Sequence, residues 1–98
     1  MHARVTTVAG SPENAEQGAS NFRDNVLPMI KEMGGKGGIL LVDRQTGQGV
    51  AITLWPDEDT MRSSEERANE LRREAAQQMG ATSEEPRVDR YEVAVLEV

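Results

Sequence analysis

The sequence predicts an α+β domain with the strand–helix–strand–strand–helix–strand order of the ferredoxin-like split βαβ arrangement, built on an antiparallel sheet. Three observations predict it. Residues 38–55, GILLVDRQTGQGVAITLW, read as two strands around a tight turn, passing directly into a helix start at Pro56-Asp57-Glu58-Asp59-Thr60. Two stretches with apolar or small residues at three- and four-residue steps flank that hairpin, one on each side. A short β-branched run precedes the first of them, and an apolar run follows the second.

In chain order, residues 3–9, ARVTTVA, carry the β-branched side chains of a first strand. Gly10-Ser11-Pro12-Glu13 then spells a helix start, with Ser11 able to cap and Pro12 at the first helical position, where its missing N–H costs nothing. Ala15, Ala19, Phe22, Val26, Met29, Ile30 and Met33 make the apolar stripe of an amphipathic helix, and Pro28 inside it predicts a kink. Gly34-Gly35 ends that helix. The turn around residues 44–49 contains Gly47, which is free to take positive φ. Asp57 is placed to cap a second helix, with Glu58 and Asp59 complementing its positive end. Met61, Ser64, Ala68, Leu71, Ala75 and Met79 form the packed side of that helix, which Gly80 stops. A polar connection through Pro86 leads to a last strand over 88–98.

The hairpin strands are apolar on consecutive positions: Ile39-Leu40-Leu41-Val42, then Val50-Ala51-Ile52 with Leu54-Trp55. Strict alternation would bury one sheet face, whereas a continuous run predicts that both are covered. Two helices cover only one. The simplest cover for the other is a second copy of the chain, so the expectation is a homodimer.

At 98 residues the chain is expected to be one domain over 1–98. Its aromatic content is Phe22, Trp55 and Tyr91 alone, a light core that burial of a sheet face in a dimer would supplement. A net charge of −6 argues against a nucleic-acid partner, because phosphate binding wants clustered Lys and Arg. Zero cysteines excludes disulfides, thiolate catalysis and Cys-ligated metal together. No charged-then-apolar leader and no apolar run near membrane-spanning length is present, so the expectation is a cytoplasmic protein with no membrane partner.

The kinked first helix with Leu27-Pro28-Met29-Ile30, the hairpin DRQTGQG at 43–49, and the strand end Thr53-Leu54-Trp55-Pro56-Asp57-Glu58-Asp59 together resemble the antibiotic biosynthesis monooxygenase family of the dimeric α+β barrel superfamily. The resemblance runs from Arg4 to Glu97. It implies two sheets packed face to face across a dimer, which agrees with the doubly apolar strands. It identifies fold better than activity, because members include cofactor-independent oxygenases of phenols, haem-degrading enzymes and quinol oxygenases.

Haem-degrading relatives carry a Trp and a His on the second helix, and residues 61–79 contain neither. The single histidine, His2, lies at the terminus and is expected to be mobile, so no haem, metal or other cofactor is expected. Glu65, Glu66, Glu70 and Glu74 alternate with Arg62, Arg67, Arg72 and Arg73, the pattern of a solvated charged face. Cofactor-free oxygenation needs only a deprotonated phenol or hydroquinone, O₂, a dry pocket and positioned hydrogen bonds. Groups that could line such a pocket are Trp55, Asn21, Phe22, Arg23, Ser64 and Tyr91. Trp55 leads because the family places a Trp at this strand end beside the cavity; its alternative role is a core anchor for the second helix. Oxygenase relatives place a polar amide on the third strand a turn before that Trp, where this chain reads Val50-Ala51-Ile52-Thr53. Two functions follow as expectations: a cofactor-independent monooxygenase of a small aromatic or quinol, or a non-catalytic dimeric module for a small ligand or a protein partner. An open cavity at Trp55 would favour the first, and a filled one the second.

Overall fold

The computed structural model describes residues 1–78 and 86–98. Its sheet contains β1 (His2–Val8), β2 (Gly37–Val42), β3 (Gly49–Trp55) and β4 (Arg87–Glu92) in the order β2-β3-β1-β4. Every neighbouring pair is antiparallel. The helical elements are a 3-10 turn (Pro12–Asn14), α1 (Ala15–Asn21), a π-helical segment (Phe22–Val26), α2 (Leu27–Glu32), α3 (Glu58–Ser63) and α4 (Glu65–Gln78). This is the predicted split βαβ arrangement.

The first helical stretch bends where Pro28 requires it. Proline has no N–H to give and its ring crowds the carbonyl a turn back, so the preceding turn opens and Leu27 N–H bonds Phe22 O, five residues earlier. At the far end Gly35 N–H bonds Ile30 O (2.8 Å) and Gly34 N–H bonds Lys31 O (3.1 Å), with Gly34 at φ 95°. Those two bonds make a Schellman stop, and a side chain there would be strained. The Ser11 hydroxyl does not cap the helix as expected. It donates to Glu13 Oε1 (3.0 Å), while the backbone tightens into the 3-10 turn through Asn14 N–H to Ser11 O (3.0 Å).

In the β2–β3 hairpin, Asp43 Oδ1 accepts from Gln45 N–H (2.9 Å) and Thr46 N–H (3.2 Å), and Gly47 takes φ 82°. Asp57 caps α3 as expected, accepting Thr60 N–H at 2.7 Å. The single second helix expected from the periodicity is two helices, parted at Ser64. Met79, Gly80 and the connection as far as Glu85 lie outside the described residues. β4 ends at Glu92 rather than running to Val98. Beyond it Val93 N–H bonds Met1 O (2.9 Å), and Val95, Leu96 and Val98 stand exposed.

Phe22, Val26, Ile30, Trp55 and Met61 form the buried core between helices and sheet, with Leu27, Met29, Met33, Leu40 and Ala51 packed around them. Strand alternation sends Arg4, Thr6, Leu40, Ala51, Thr53 and Trp55 toward the helices. Ile39, Leu41, Val50, Ile52, Leu54 and Val5 occupy the opposite face, where Ile39 is 47% and Leu41 51% exposed.

Candidate functional site

The helix-facing side of β1 carries an arginine into the core. The Arg4 side chain is 3% exposed. Its Nη2 donates to Met61 O (2.6 Å) and to Ser64 Oγ (2.9 Å), and lies 3.2 Å from Glu65 Oε1. The guanidinium carbon sits 5.1 Å from the centre of the Trp55 ring. Burial pulls the Arg4 pKa down while Glu65 opposes it, and the guanidinium keeps its charge. Its Nε is buried without a partner.

This arginine explains why the second helix is broken. In an unbroken helix Met61 O would accept the N–H of Glu65. Here Met61 O is taken by Arg4 and by the Ser64 hydroxyl (2.7 Å), and Ser64 N–H closes a tighter turn onto it (3.3 Å). α3 therefore stops at Ser63, and α4 begins afresh with Ala68 N–H on Ser64 O (2.8 Å). The restart places Glu65 between Arg4 and Arg90 of β4. Arg90 grips it with both prongs, Nε to Oε1 at 2.7 Å and Nη2 to Oε2 at 2.8 Å. Hydrogen bonds from Arg90, then the charge of Arg4, hold the Glu65 carboxyl below its ordinary pKa against the cost of burial.

Beside this network a cleft of about 620 Å³ opens between α3, the start of α4 and the β1–β4 edge. Its walls are His2, Glu58, Met61, Arg62, Glu65, Arg90, Tyr91 and Glu92. Arg62 pairs with Glu58 one turn back. The Asp57 cap nearby is held below the ordinary carboxylate pKa, chiefly by the Thr60 N–H and to a smaller extent by His2 and the chain's amino terminus. Among the described residues no group of His, Cys, Asp and Glu is arranged to hold a metal ion. Among the same residues no helix is long and apolar enough to cross a membrane.

The six residues singled out from the sequence are dispersed. Trp55 is 0% exposed, donates its indole N–H to Thr53 Oγ1 (3.0 Å) and packs in the core against Met61. Ser64 is buried as a partner of Arg4. Tyr91 is exposed and lines the cleft. Phe22 is core. Asn21 accepts from Asn25 Nδ2 (2.9 Å), and Arg23 pairs with Asp24 (2.9 Å) on the solvent side of the π segment. Trp55 and Ser64 meet through Arg4; Tyr91 borders the cleft from β4, where its register with Ala3 puts its side chain on the open face of the sheet, and Asn21, Phe22 and Arg23 do not border the cleft.

Arg4 is not among the site residues expected from the sequence, and His2, expected to be mobile at the terminus, is instead held inside β1. Arg4 sits in a run of β-branched residues, and nothing in the spacing announces its partners sixty residues on. The β-branched run that predicts the first strand begins at Ala3, one residue after His2. Starting that strand one residue earlier puts His2 on the same face as Arg4, and in the structure it pairs on the backbone with both Trp55 and Glu92.

No protein-family model matches the chain. The chain is 34% identical over 97 residues to the uncharacterized protein Rv2557 of Mycobacterium tuberculosis, and 35% identical over 97 residues to Rv2558 of the same organism. These alignments take in 98% of the chain but only 42% and 40% of the relatives, so the chain spans about two fifths of their length. Among solved structures, a monooxygenase from the gene ActVA-Orf6 of Streptomyces coelicolor, in complex with Nanaomycin D, superposes with a TM-score of 0.72 at 19% identity, over 99% of this chain and 92% of that one. A Deinococcus radiodurans protein described as a candidate antibiotic biosynthesis monooxygenase gives 0.69 at 14% identity, over 100% and 97%. The chain has the fold of the antibiotic biosynthesis monooxygenases, as its sequence resemblance implied.

Proposed function

We propose that the chain is a homodimeric, cofactor-independent oxygenase of a small phenol or hydroquinone, with its substrate in the cleft between α3 and the β1–β4 edge. The cleft carries this reading: it offers space for an aromatic ring beside a histidine and a thioether-bearing wall, on a fold shared with a monooxygenase seen in complex with Nanaomycin D. The chemistry balances without a cofactor. A phenol that loses its proton can pass one electron to O₂; the two radicals combine to a hydroperoxide, which loses water and leaves a quinone. The protein's part is to keep the ring dry and to orient its oxygen. The homodimer is supported by the open apolar sheet face, which a second copy would cover.

A specific observation favours the second reading, a non-catalytic dimeric module. Trp55 has no accessible surface, and the space beside its ring is filled by Arg4. An oxygen electrode with a panel of phenols and hydroquinones separates the two. The oxygenase reading expects uptake of one O₂ per quinone formed, abolished by heat and reduced when His2 is replaced by Ala. No uptake across the panel gives the function to the module.

A further inference from the structure

We infer that Arg4 is the positioning residue of the cleft: by occupying Met61 O from β1 it holds α3 and α4 apart, and that break delivers the Glu65 carboxylate to Arg90 at the cleft wall. Met61, Glu65 and Arg90 are all walls of the cleft, so three of them depend on a buried side chain that acts only through others. This bears on the site where the oxygenase reading places its substrate. It is tested on the unliganded protein, so either reading can fail alone.

The junction by itself is set for a continuous helix. Residues 58–78 contain neither glycine nor proline, and Met61, Ser64 and Ala68 keep their three- and four-residue steps straight through it. Ser63 Oγ donates to Thr60 O (3.0 Å) and Ser64 Oγ to Met61 O (2.7 Å), the back-bonding that serines make inside helices. Ser64 stands at φ −91° and ψ −3°, so its ψ lies about 40° from the helical value. A turn of that size at one residue separates two helices from one.

What opposes that turn comes from β1. A carbonyl oxygen has two lone pairs, and those of Met61 O are taken by the Ser64 hydroxyl at 2.7 Å and by Arg4 Nη2 at 2.6 Å. The bond from Glu65 N–H that would close the helix therefore has no site on Met61 O. Without Arg4 one lone pair comes free, and the serine bond can stay. Joining the helices then re-aims Glu65. Its fork with Arg90, 2.7 and 2.8 Å long, holds only within about 10–20° of its present geometry and is lost.

Scalar couplings across hydrogen bonds, measured by nuclear magnetic resonance on isotope-labelled protein, test this. Wild type should show none between Glu65 N–H and the Met61 carbonyl; finding one overturns the inference with no variant made. Arg4→Met should show it, with the Ser64 carbon shifts moving to helical values. Arg4→Lys, whose ammonium still has donors for Met61 O and Ser64 Oγ, should keep the wild-type pattern. Trimethylamine oxide favours the compact state and supports Arg4→Met if it is marginal in plain buffer. A folded Arg4→Met whose junction stays broken overturns the inference, as does a junction joined equally in Arg4→Lys. The loss of the fork is read at the Glu65 carboxyl, whose pKa the hydrogen bonds of Arg90 hold down. That pKa should rise in Arg4→Met, and adding Arg90→Met should raise it no further. A further rise means that Arg90 still grips Glu65, and overturns the inference. Oxygen uptake is a separate readout. A joined junction in Arg4→Met without uptake by wild type leaves the role of Arg4 standing and removes the catalytic reading; uptake by wild type with a broken junction in Arg4→Met does the reverse.

Discussion

The two faces of the sheet invert the usual arrangement. The face covered by helices buries Arg4, Thr6 and Thr53, with Ser64 of the helical layer among them, whereas the uncovered face presents Ile39, Leu41, Val50, Ile52 and Leu54. In a monomer the polar groups would face water and the aliphatic ones the core. The difference teaches that the faces are held by different means. The covered face tolerates a charge because Arg4 is stacked on Trp55, bonded to Met61 O and Ser64, and opposed by Glu65. The open face is apolar along β2 and β3, with the Arg87–Asp89 pair only at its β4 margin, and its apolar row is the kind of patch that protein surfaces reserve for protein.

The largest expected effects lie on the covered face. Trp55→Ala should cost about 3–5 kcal/mol in chemical denaturation, because it empties the centre of the core and strands the Arg4 guanidinium. Trp55→Phe should cost about 1 kcal/mol, since it keeps most of the volume and loses the bond to Thr53. Arg4→Met should cost about 3 kcal/mol, leaving Met61 O and one side of Glu65 without their donor. If Arg4→Met is as stable as wild type, the covered face is an ordinary apolar core and the contrast fails.

The open face should answer to a different measurement. Leu41→Lys places a charge at a position 51% exposed in the single chain, so it should shift the stability of the isolated fold by less than about 0.5 kcal/mol. In a dimer the same charge would be buried unpaired, and sedimentation should show the variant dissociated at concentrations where wild type is paired. A wild type that sediments as a monomer at micromolar concentration would break the comparison outright.

The same contrast explains what could be read from the sequence. Pro28 announces its bend because the cause is local: a missing N–H acts on the turn immediately before it. Asp57, Gly34 and Gly47 are legible for the same reason, each satisfying or permitting a backbone conformation within a few residues. The continuous apolar runs of the hairpin are also local signals, and they predict the apolar open face correctly. The break at Ser64 is not legible. Ser64 is small and helix-tolerant, and the agent that interrupts the helix is Arg4, on another element. The cleft is illegible on the same ground, since His2, Met61 and Arg90 come together only through the β4-β1-β3 order. The end of β4 at Glu92 is missed because residues 93–98 carry an apolar pattern suited to a strand, while β1, their neighbour, ends at His2 and offers beyond it only Met1 O to Val93 N–H among the described residues.

The smallest expected effect sharpens the comparison by locating the charge that the covered face depends on. The Glu65 carboxyl is held below its unfolded pKa, first by the hydrogen bonds of Arg90 and then by Arg4. A carboxylate whose pKa is depressed on folding binds fewer protons folded than unfolded, so it stabilises the fold fully above its unfolded value of about 4.3. That contribution fades as pH falls through the folded value. Glu65 is 27% and Arg90 46% exposed at the side chain, so solvent screens the pair, and its share should be about 1 kcal/mol or less. Denaturation midpoints between neutral pH and the acid range should therefore fall less steeply in Glu65→Gln than in wild type. Arg90→Met should recover most of that flattening, because Arg90 is the larger cause of the depression. If Arg90→Met keeps the wild-type slope while Arg4→Met flattens it, the buried arginine is the dominant partner of Glu65 and the covered face carries its charge from within.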